Sequence, residues 1–142
     1  MSEELTRIER IKVGELEDFA KSMISSISQD HLVPITLQRA IAHTHNPYAD
    51  EDDIGLLVAY IGEECVGYFG ILPIMLKHGT QHSKVNWFST WLVSPKFRGR
   101  SIGSLLMKDA LSMDQDYMIV GSGPARKVCQ RFGFHELPPL LY

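Results

Sequence analysis

The sequence predicts an α/β domain, with a mixed, mostly antiparallel central sheet flanked by helices and a single βαβ crossover. Three observations carry this expectation. Segments rich in β-branched and aromatic residues (Leu56–Ile61, Cys65–Met75 and Lys84–Val93) follow one another as a meander. Segments with apolar residues at helical spacing lie before and after that meander. Finally, the apolar run ending at Val93 passes through a basic, glycine-containing turn into an amphipathic segment and then a short apolar run, which is the form of a βαβ unit.

Each element has a local reason. Thr6–Val13 alternates apolar and polar residues, the pattern of a half-exposed strand. Gly14 and Glu15 mark the entry to a helix carrying Leu16, Phe19, Ala20, Met23 and Ile27 on one face. A second helix is expected from near Pro34 through Leu37, Ala40 and Ile41, ending before Asn46-Pro47 because the residue preceding proline disfavours the helical region. Gly62-Glu63-Glu64 is the turn of the first hairpin, and His78 and His82 fall in a loop before a third strand that starts near Lys84 and is stopped by Pro95. Even spacing puts Trp87 and Trp91 on one face of that strand, as core or cleft wall. Ile102, Leu105, Leu106, Ala110 and Met113 define the crossover helix, and Tyr117–Val120 the strand after it. Ala125, Val128, Cys129 and Phe132 form the apolar face of a last helix. From Phe134 onward a short strand and a proline stop are expected, leaving an open sheet edge that a longer chain or a second copy would cover.

Composition narrows the class. The 142 residues suit a single domain over 1–142, either whole or the leading part of a longer protein. Hydrophobic residues at 44% and charged residues at 22% argue against wholesale disorder. A net charge of −3 argues against a nucleic-acid surface. Two cysteines, Cys65 and Cys129, without a paired motif suit a reducing cytoplasm. No apolar run approaches the ~20 residues of a membrane span.

Against that acidic background the turn Val93-Ser-Pro-Lys-Phe-Arg98-Gly99-Arg100-Ser101-Ile102-Gly103-Ser104 stands out. A helix N-terminus presents unpaired N–H groups and about half a positive charge, so a turn without bulky side chains there admits a phosphate to the main chain. Lys96, Arg98 and Arg100 add charge. The alternative, plain turn chemistry before a helix, explains the glycines but not the cluster of cations.

This segment resembles the signature of the GNAT superfamily of acyl-CoA-dependent N-acetyltransferases: Arg or Gln, two residues, Gly, one residue, Gly or Ala. Arg98 and Gly103 match, and Ser101 replaces the central glycine, which raises the cost of any positive φ there. The run Ser122-Gly-Pro-Ala125-Arg-Lys-Val-Cys129-Gln-Arg-Phe-Gly133-Phe134 is similar to the family's closing segment. Ala125, Gly133 and Phe134 fit it; Ser122 stands where Asn is usual and Cys129 where a general-acid Tyr is common.

The resemblance implies the GNAT fold and acetyl-CoA as co-substrate; no metal is expected, since His43 and His45, two residues apart, point to different faces of a helix. The resemblance also implies cofactor binding by Leu92, Val93, Arg98, Gly99, Arg100, Ser101, Ile102, Gly103 and Ser104, with catalytic roles open to Ser122 and Cys129. Cys129 also lies on an apolar helix face, and packing is the preferred reading. The strand Lys84–Val93 offers Asn86, Ser89 and Thr90 but no carboxylate as base, so deprotonation through water is expected; His43, His45, His78 and His82 are alternatives. Backbone donors at a bulge near Leu92 and Val93 would stabilise the oxyanion. The acidic run Asp50–Asp53 reads as a solvated loop. The expected partner is a small-molecule or peptide amine, with no nucleic acid and no membrane. Two competing readings are a catalytically weak acyl-CoA-binding module of a larger assembly and a structural domain without a nucleotide. Turnover and coenzyme A affinity separate them.

Overall fold

The computed structural model describes residues 5–26, 32–121 and 123–137. The expected helix position Ile27, the candidate Ser122 and the terminal stretch from Pro138 lie outside these. Along the chain run β1 (Thr6–Lys12), a 3-10 turn (Val13–Glu15), α1 (Leu16–Ser26), α2 (Leu37–Thr44), β2 (Ile54–Ile61), β3 (Glu64–His78) and β4 (Gln81–Val93). A second 3-10 turn (Pro95–Phe97), α3 (Ile102–Leu111), β5 (Tyr117–Ile119) and α4 (Pro124–Arg131) follow. The five strands form one sheet in the order β1-β2-β3-β4-β5, antiparallel throughout except for the parallel β4/β5 pair. This is the α/β architecture expected, with the crossover at β4-α3-β5.

Helices cover both faces. Leu57, Val66, Phe69, Ile71 and Phe88 pack with Ile102, Leu106 and Met107 of α3 and Cys129 of α4. On the other face Leu56, Val58 and Cys65 pack with Leu16 and Ala20 of α1 and Ala40 of α2. Each side chain buried this way contributes roughly 1.5–3 kcal/mol, so the two clusters supply the bulk of the stabilisation.

Four local expectations are corrected. Helix α2 begins at Leu37 rather than near Pro34, because Thr36 caps it: its hydroxyl accepts the Arg39 N–H at 3.3 Å. Strands β3 and β4 run on to a two-residue turn, Gly79-Thr80, in which Gly79 has φ +62°. His78 and His82 therefore sit on strands, paired with Gln81 and Lys77. The acidic run is tied down rather than merely solvated. The Asp53 and Glu51 carbonyls accept the Val13 and Gly14 N–H groups at 2.7 and 3.0 Å, and Lys84 on β4 bridges the Asp50 and Asp53 carboxylates. Among the described residues no strand follows α4; Phe134–Leu137 is irregular.

The main departure from simple alternation lies in β4. Gly70 pairs with Thr90 and Ile71 with Phe88, so Ser89 is an extra residue that bulges the strand. The bulge resets the side-chain alternation. Trp91 joins Phe88 on the α3 face, its ring edge-on to Phe69 at 5.9 Å, and Trp87 faces the opposite way. The two tryptophans do not share a face.

The bulge needs glycine opposite it, since a Cβ on Gly70 would collide with Thr90 Oγ1 and lie 2.8 Å from Ser89 Oγ. Gly70→Ala is expected to destabilise the fold by about 1–3 kcal/mol, the range for overpacking, as read from denaturant midpoints. An unchanged midpoint would mean that the bulge relaxes freely. Ser101, at φ +61°, is the one described non-glycine residue in the left-handed region. Ser101→Gly removes a Cβ penalty of about 1–2 kcal/mol, and after the greater freedom of glycine in the unfolded chain a net gain of about 1 kcal/mol is expected. A lowered melting midpoint would count against strain at this position.

Candidate functional site

Strand β5 pairs with β4 only through Asn86↔Tyr117, Trp87↔Met118 and Phe88↔Ile119, whereas β4 continues against β3 as far as Gly67↔Val93. Beyond Phe88 a slot therefore opens on the β5 side of β4. Antiparallel pairing fixes which main-chain groups face it. The Ser94 N–H donates to the Val66 carbonyl at 2.8 Å, so by alternation Leu92 directs its polar groups at Tyr68 of β3. Trp91 and Val93 turn theirs to the open edge. The bulge that produces this arrangement is at Ser89, not at the Leu92–Val93 end.

The head of α3 closes one mouth of the slot. Ser101 is its N-cap, but no side chain among the described residues caps the helix, and the first intrahelical bond runs from the Leu105 N–H to the Ser101 carbonyl at 3.0 Å. The N–H groups of Ile102, Gly103 and Ser104 thus have no helical partner and point out of the helix end. Left-handed backbone at Gly99 (φ +88°) and Ser101 folds the turn so that these donors face outward beside Arg98. Lys96, Arg98 and Arg100 are exposed, the Arg100 guanidinium resting 5.2 Å over the Phe97 ring. The result is an open groove of about 330 Å³ lined by Trp91, Val93, Phe97, Arg98, Gly99, Ser101, Ile102, Gly103, Ser104 and Val128. Unpaired amides, a helix dipole and exposed cations suit it to a phosphate-bearing ligand.

Gly103 plays a second part. A Cβ there would stand 3.4 Å from Trp91 Nε1 and 3.5 Å from Val93 Cγ2, and the Trp91 indole N–H donates to the Gly103 carbonyl at 3.2 Å. Its lack of a side chain lets α3 lie close against the end of β4.

The groove thus brings together Val93, Arg98, Gly99, Ser101, Ile102, Gly103 and Ser104 from the sequence expectation. Arg100 stands just beside it, and the Leu92 side chain lies on the opposite face, 40% exposed. Cys129 is 5% exposed and packed in the core; its neighbour Val128 reaches the groove instead. Burial raises the Cys129 thiol above its usual value. Among the histidines, burial and then Arg39 hold His43 below its usual value, while His45 Nδ1 lies 2.9 Å from the Ile41 carbonyl. Among the described residues no group of three His, Cys, Asp or Glu could hold a metal, and no helix is long and apolar enough to cross a membrane.

Trp91, expected as core or cleft wall, lines the groove; Phe97 and Val128 are the lining residues that the sequence does not single out, Val128 because the apolar face of α4 reads as core. A second groove, of about 260 Å³ between α1 and α2, is lined chiefly by Ala20, Met23, Ile24, Val33 and Ile35, with no titratable side chain among the described residues that line it.

Comparison with known proteins agrees with this fold. The profile of the acetyltransferase (GNAT) family matches residues 16–134. Among solved structures, the aminoglycoside N-acetyltransferase AAC(6')-Iy in complex with CoA is similar with a TM-score of 0.62 at 16% identity, covering 99% of this chain and 95% of that one. A putative acetyl transferase from Pyrococcus furiosus gives a TM-score of 0.57 at 16% identity, covering 97% and 98%. A predicted acetyltransferase from Clostridium acetobutylicum with acetyl-CoA gives 0.58 at 14%, covering 97% and 95%. No curated protein matches. At such identities the structural likenesses speak for the fold, and the family profile covers most of the chain: it belongs to the GNAT acetyltransferase family.

Proposed function

We propose that the chain is an N-acetyltransferase that moves the acetyl group of acetyl-CoA to an amine by direct attack on the thioester. The observation that carries this reading is the conjunction of the slot beyond Phe88 with the uncapped, basic head of α3 at its mouth. A pyrophosphate suits the amides of Ile102, Gly103 and Ser104 with Arg98 beside them, and a thin pantetheine arm suits a slot one strand wide. Family membership and the CoA-bound and acetyl-CoA-bound neighbours support the choice of co-substrate.

The chemistry asks three things of the residues around the slot. A neutral amine nitrogen must reach the thioester carbonyl carbon, forming the C–N bond. The carbonyl oxygen, negative in the tetrahedral intermediate, needs a donor, and the main-chain N–H groups of Trp91 and Val93 at the open edge of β4 are the natural ones. As the C–S bond breaks, its electron pair goes to sulfur, and the proton lost by nitrogen balances the thiolate. No carboxylate stands on β4, so the amine proton leaves through water.

We assign Cys129 to packing. Its side chain is buried in the apolar cluster shared by α3 and β3, and the slot-facing position on α4 belongs to Val128. The carbonyl of Cys129 accepts the Phe132 and Phe134 N–H groups, fixing the helix end through the backbone, which any residue could do.

Two measurements test the proposal. Acetyl-CoA at about 100 times its Kd should stabilise the protein by ~2.7 kcal/mol, and Ser104→Glu should weaken binding more than about tenfold by like-charge repulsion. A carboxylate in the first turn suits the helix dipole, so this variant is expected to fold as well as the parent. A flat thermal midpoint across millimolar acetyl-CoA, or undiminished affinity in the folded variant, overturns the cofactor assignment. For Cys129→Ala, a loss of about 1–2 kcal/mol of stability with kcat within roughly twofold is expected. A hundredfold fall in kcat with intact acetyl-CoA affinity would make the thiol the acid.

A further inference from the structure

Because β5 stops pairing at Phe88 while β4 runs on to Val93, the free edge of β4 can be approached from both faces of the sheet, and the slot therefore has two mouths. One, on the α3/α4 face, is the groove with Trp91, Val93 and the head of α3. A cofactor held there leaves the amine only the other mouth, on the α1/α2 face. The bulge determines which side chains surround it. Register pairs Gly70 with Thr90 and Tyr68 with Leu92, and alternation from Trp91 and Val93 turns Thr90 and Leu92 to this second face. Gly70 is necessarily a bare floor, since a Cβ there would meet Thr90 Oγ1 and Ser89 Oγ. Around it stand the half-buried Tyr68 and Thr90 and the 40%-exposed Leu92.

Resting on the acetyltransferase reading above, with the acceptor entering by this mouth, we propose that Tyr68, Thr90 and Leu92 select an amine carried on an apolar or aromatic body over a polycationic one. The charge distribution argues for it. From Cys65 to Val93 the sequence contains no Asp or Glu, Glu64 at the start of β3 lying just before this span, and its only lysines are Lys77 and Lys84, toward the opposite end of the hairpin. A polyamine entering here would surrender the hydration of each extra ammonium with no carboxylate between Cys65 and Val93 to replace it. An alkyl or aryl group instead buries against the Leu92 isobutyl and the Tyr68 ring, and the Thr90 hydroxyl can accept one amine N–H. Ser89 Oγ, buried beneath Thr90 without a hydrogen-bond partner among the described residues, leaves this small polar spot at the centre of an apolar rim.

The test compares initial rates of CoA thiol release for 2-phenylethylamine and spermidine at saturating acetyl-CoA, with acetyl-CoA affinity measured separately by calorimetry. The expected kcat/KM for phenylethylamine exceeds that for spermidine at least ~10-fold, the scale on which an apolar pocket discriminates. Leu92→Asp should reverse the ranking, raising KM for phenylethylamine about tenfold while lowering KM for spermidine, with acetyl-CoA affinity unchanged. A wild-type protein that binds acetyl-CoA but prefers spermidine, or acetylates neither amine, overturns this inference and leaves the cofactor assignment standing. So does an unaltered ranking in a folded Leu92→Asp variant. A protein that fails to bind acetyl-CoA overturns the underlying reading instead.

Discussion

The β-bulge at Ser89 is the constraint from which the site follows. One extra residue in β4 opposite Gly70 bends the strand and reverses its side-chain alternation, and the two effects are inseparable. Without the bulge, Trp91 would face α1 and α2 and could not donate its indole N–H to the Gly103 carbonyl. Val93 would likewise leave the groove. The bend also comes directly after the last residue that β5 pairs with, so the parting of the two strands and the change of face happen at one point. Gly70 makes this possible by contributing no side chain where a Cβ would meet Thr90 Oγ1 and Ser89 Oγ.

The head of α3 shows the same trade between local cost and local function. A serine in the left-handed region and a helix start without a side-chain cap are both unfavourable, by about 1 kcal/mol or more each. They persist because the next residue, Ile102, is 1% exposed, and Leu106, Met107 and Ala110 are likewise buried, so the helix is held by its inner face rather than by its cap. An uncapped helix end that cannot fray keeps three N–H groups available. Capping it with its own serine hydroxyl would consume one of the donors that an anion needs.

This division explains what could be read from the residues beforehand. The meander, the crossover and the head of α3 were legible, because hydrophobic period, turn glycines and clustered cations are local signals. The position of the bulge was not. It arises from an unequal count on two strands some twenty residues apart, and nothing near Ser89 announces it. Two departures in β4 follow from that gap: simple alternation puts Trp87 and Trp91 on one face, and it does not tell which of Leu92 and Val93 turns its main-chain groups outward. The extent of the β3–β4 hairpin was hidden for another reason. The polar residues of its outer part, Lys77, His78, Gln81 and His82, resemble a loop in composition, yet an exposed two-stranded arm has no core to bury and tolerates them.

Helix α4 raises the last structural question, how a strand of three residues stays in place at the sheet edge. Three pairings hold β5 to β4, too few to fix it alone. The aromatic side chains complete the attachment. Phe88 stacks on Tyr117 at 5.4 Å with their planes 9° apart, and Phe134, beyond the end of α4, meets both rings at 6.4 and 5.1 Å. Arg126 and Glu136 pair across the same turn, bringing the segment after α4 back toward that helix. Gly133, at φ +85°, reverses the chain so that Phe134 can return to the sheet. The Gly-Phe pair therefore does its work at a distance from the groove. By pinning β5 against Phe88 it keeps the two strands parting at one residue, and the slot's width at Trp91 and Val93 depends on that fixed point as much as on the bulge itself.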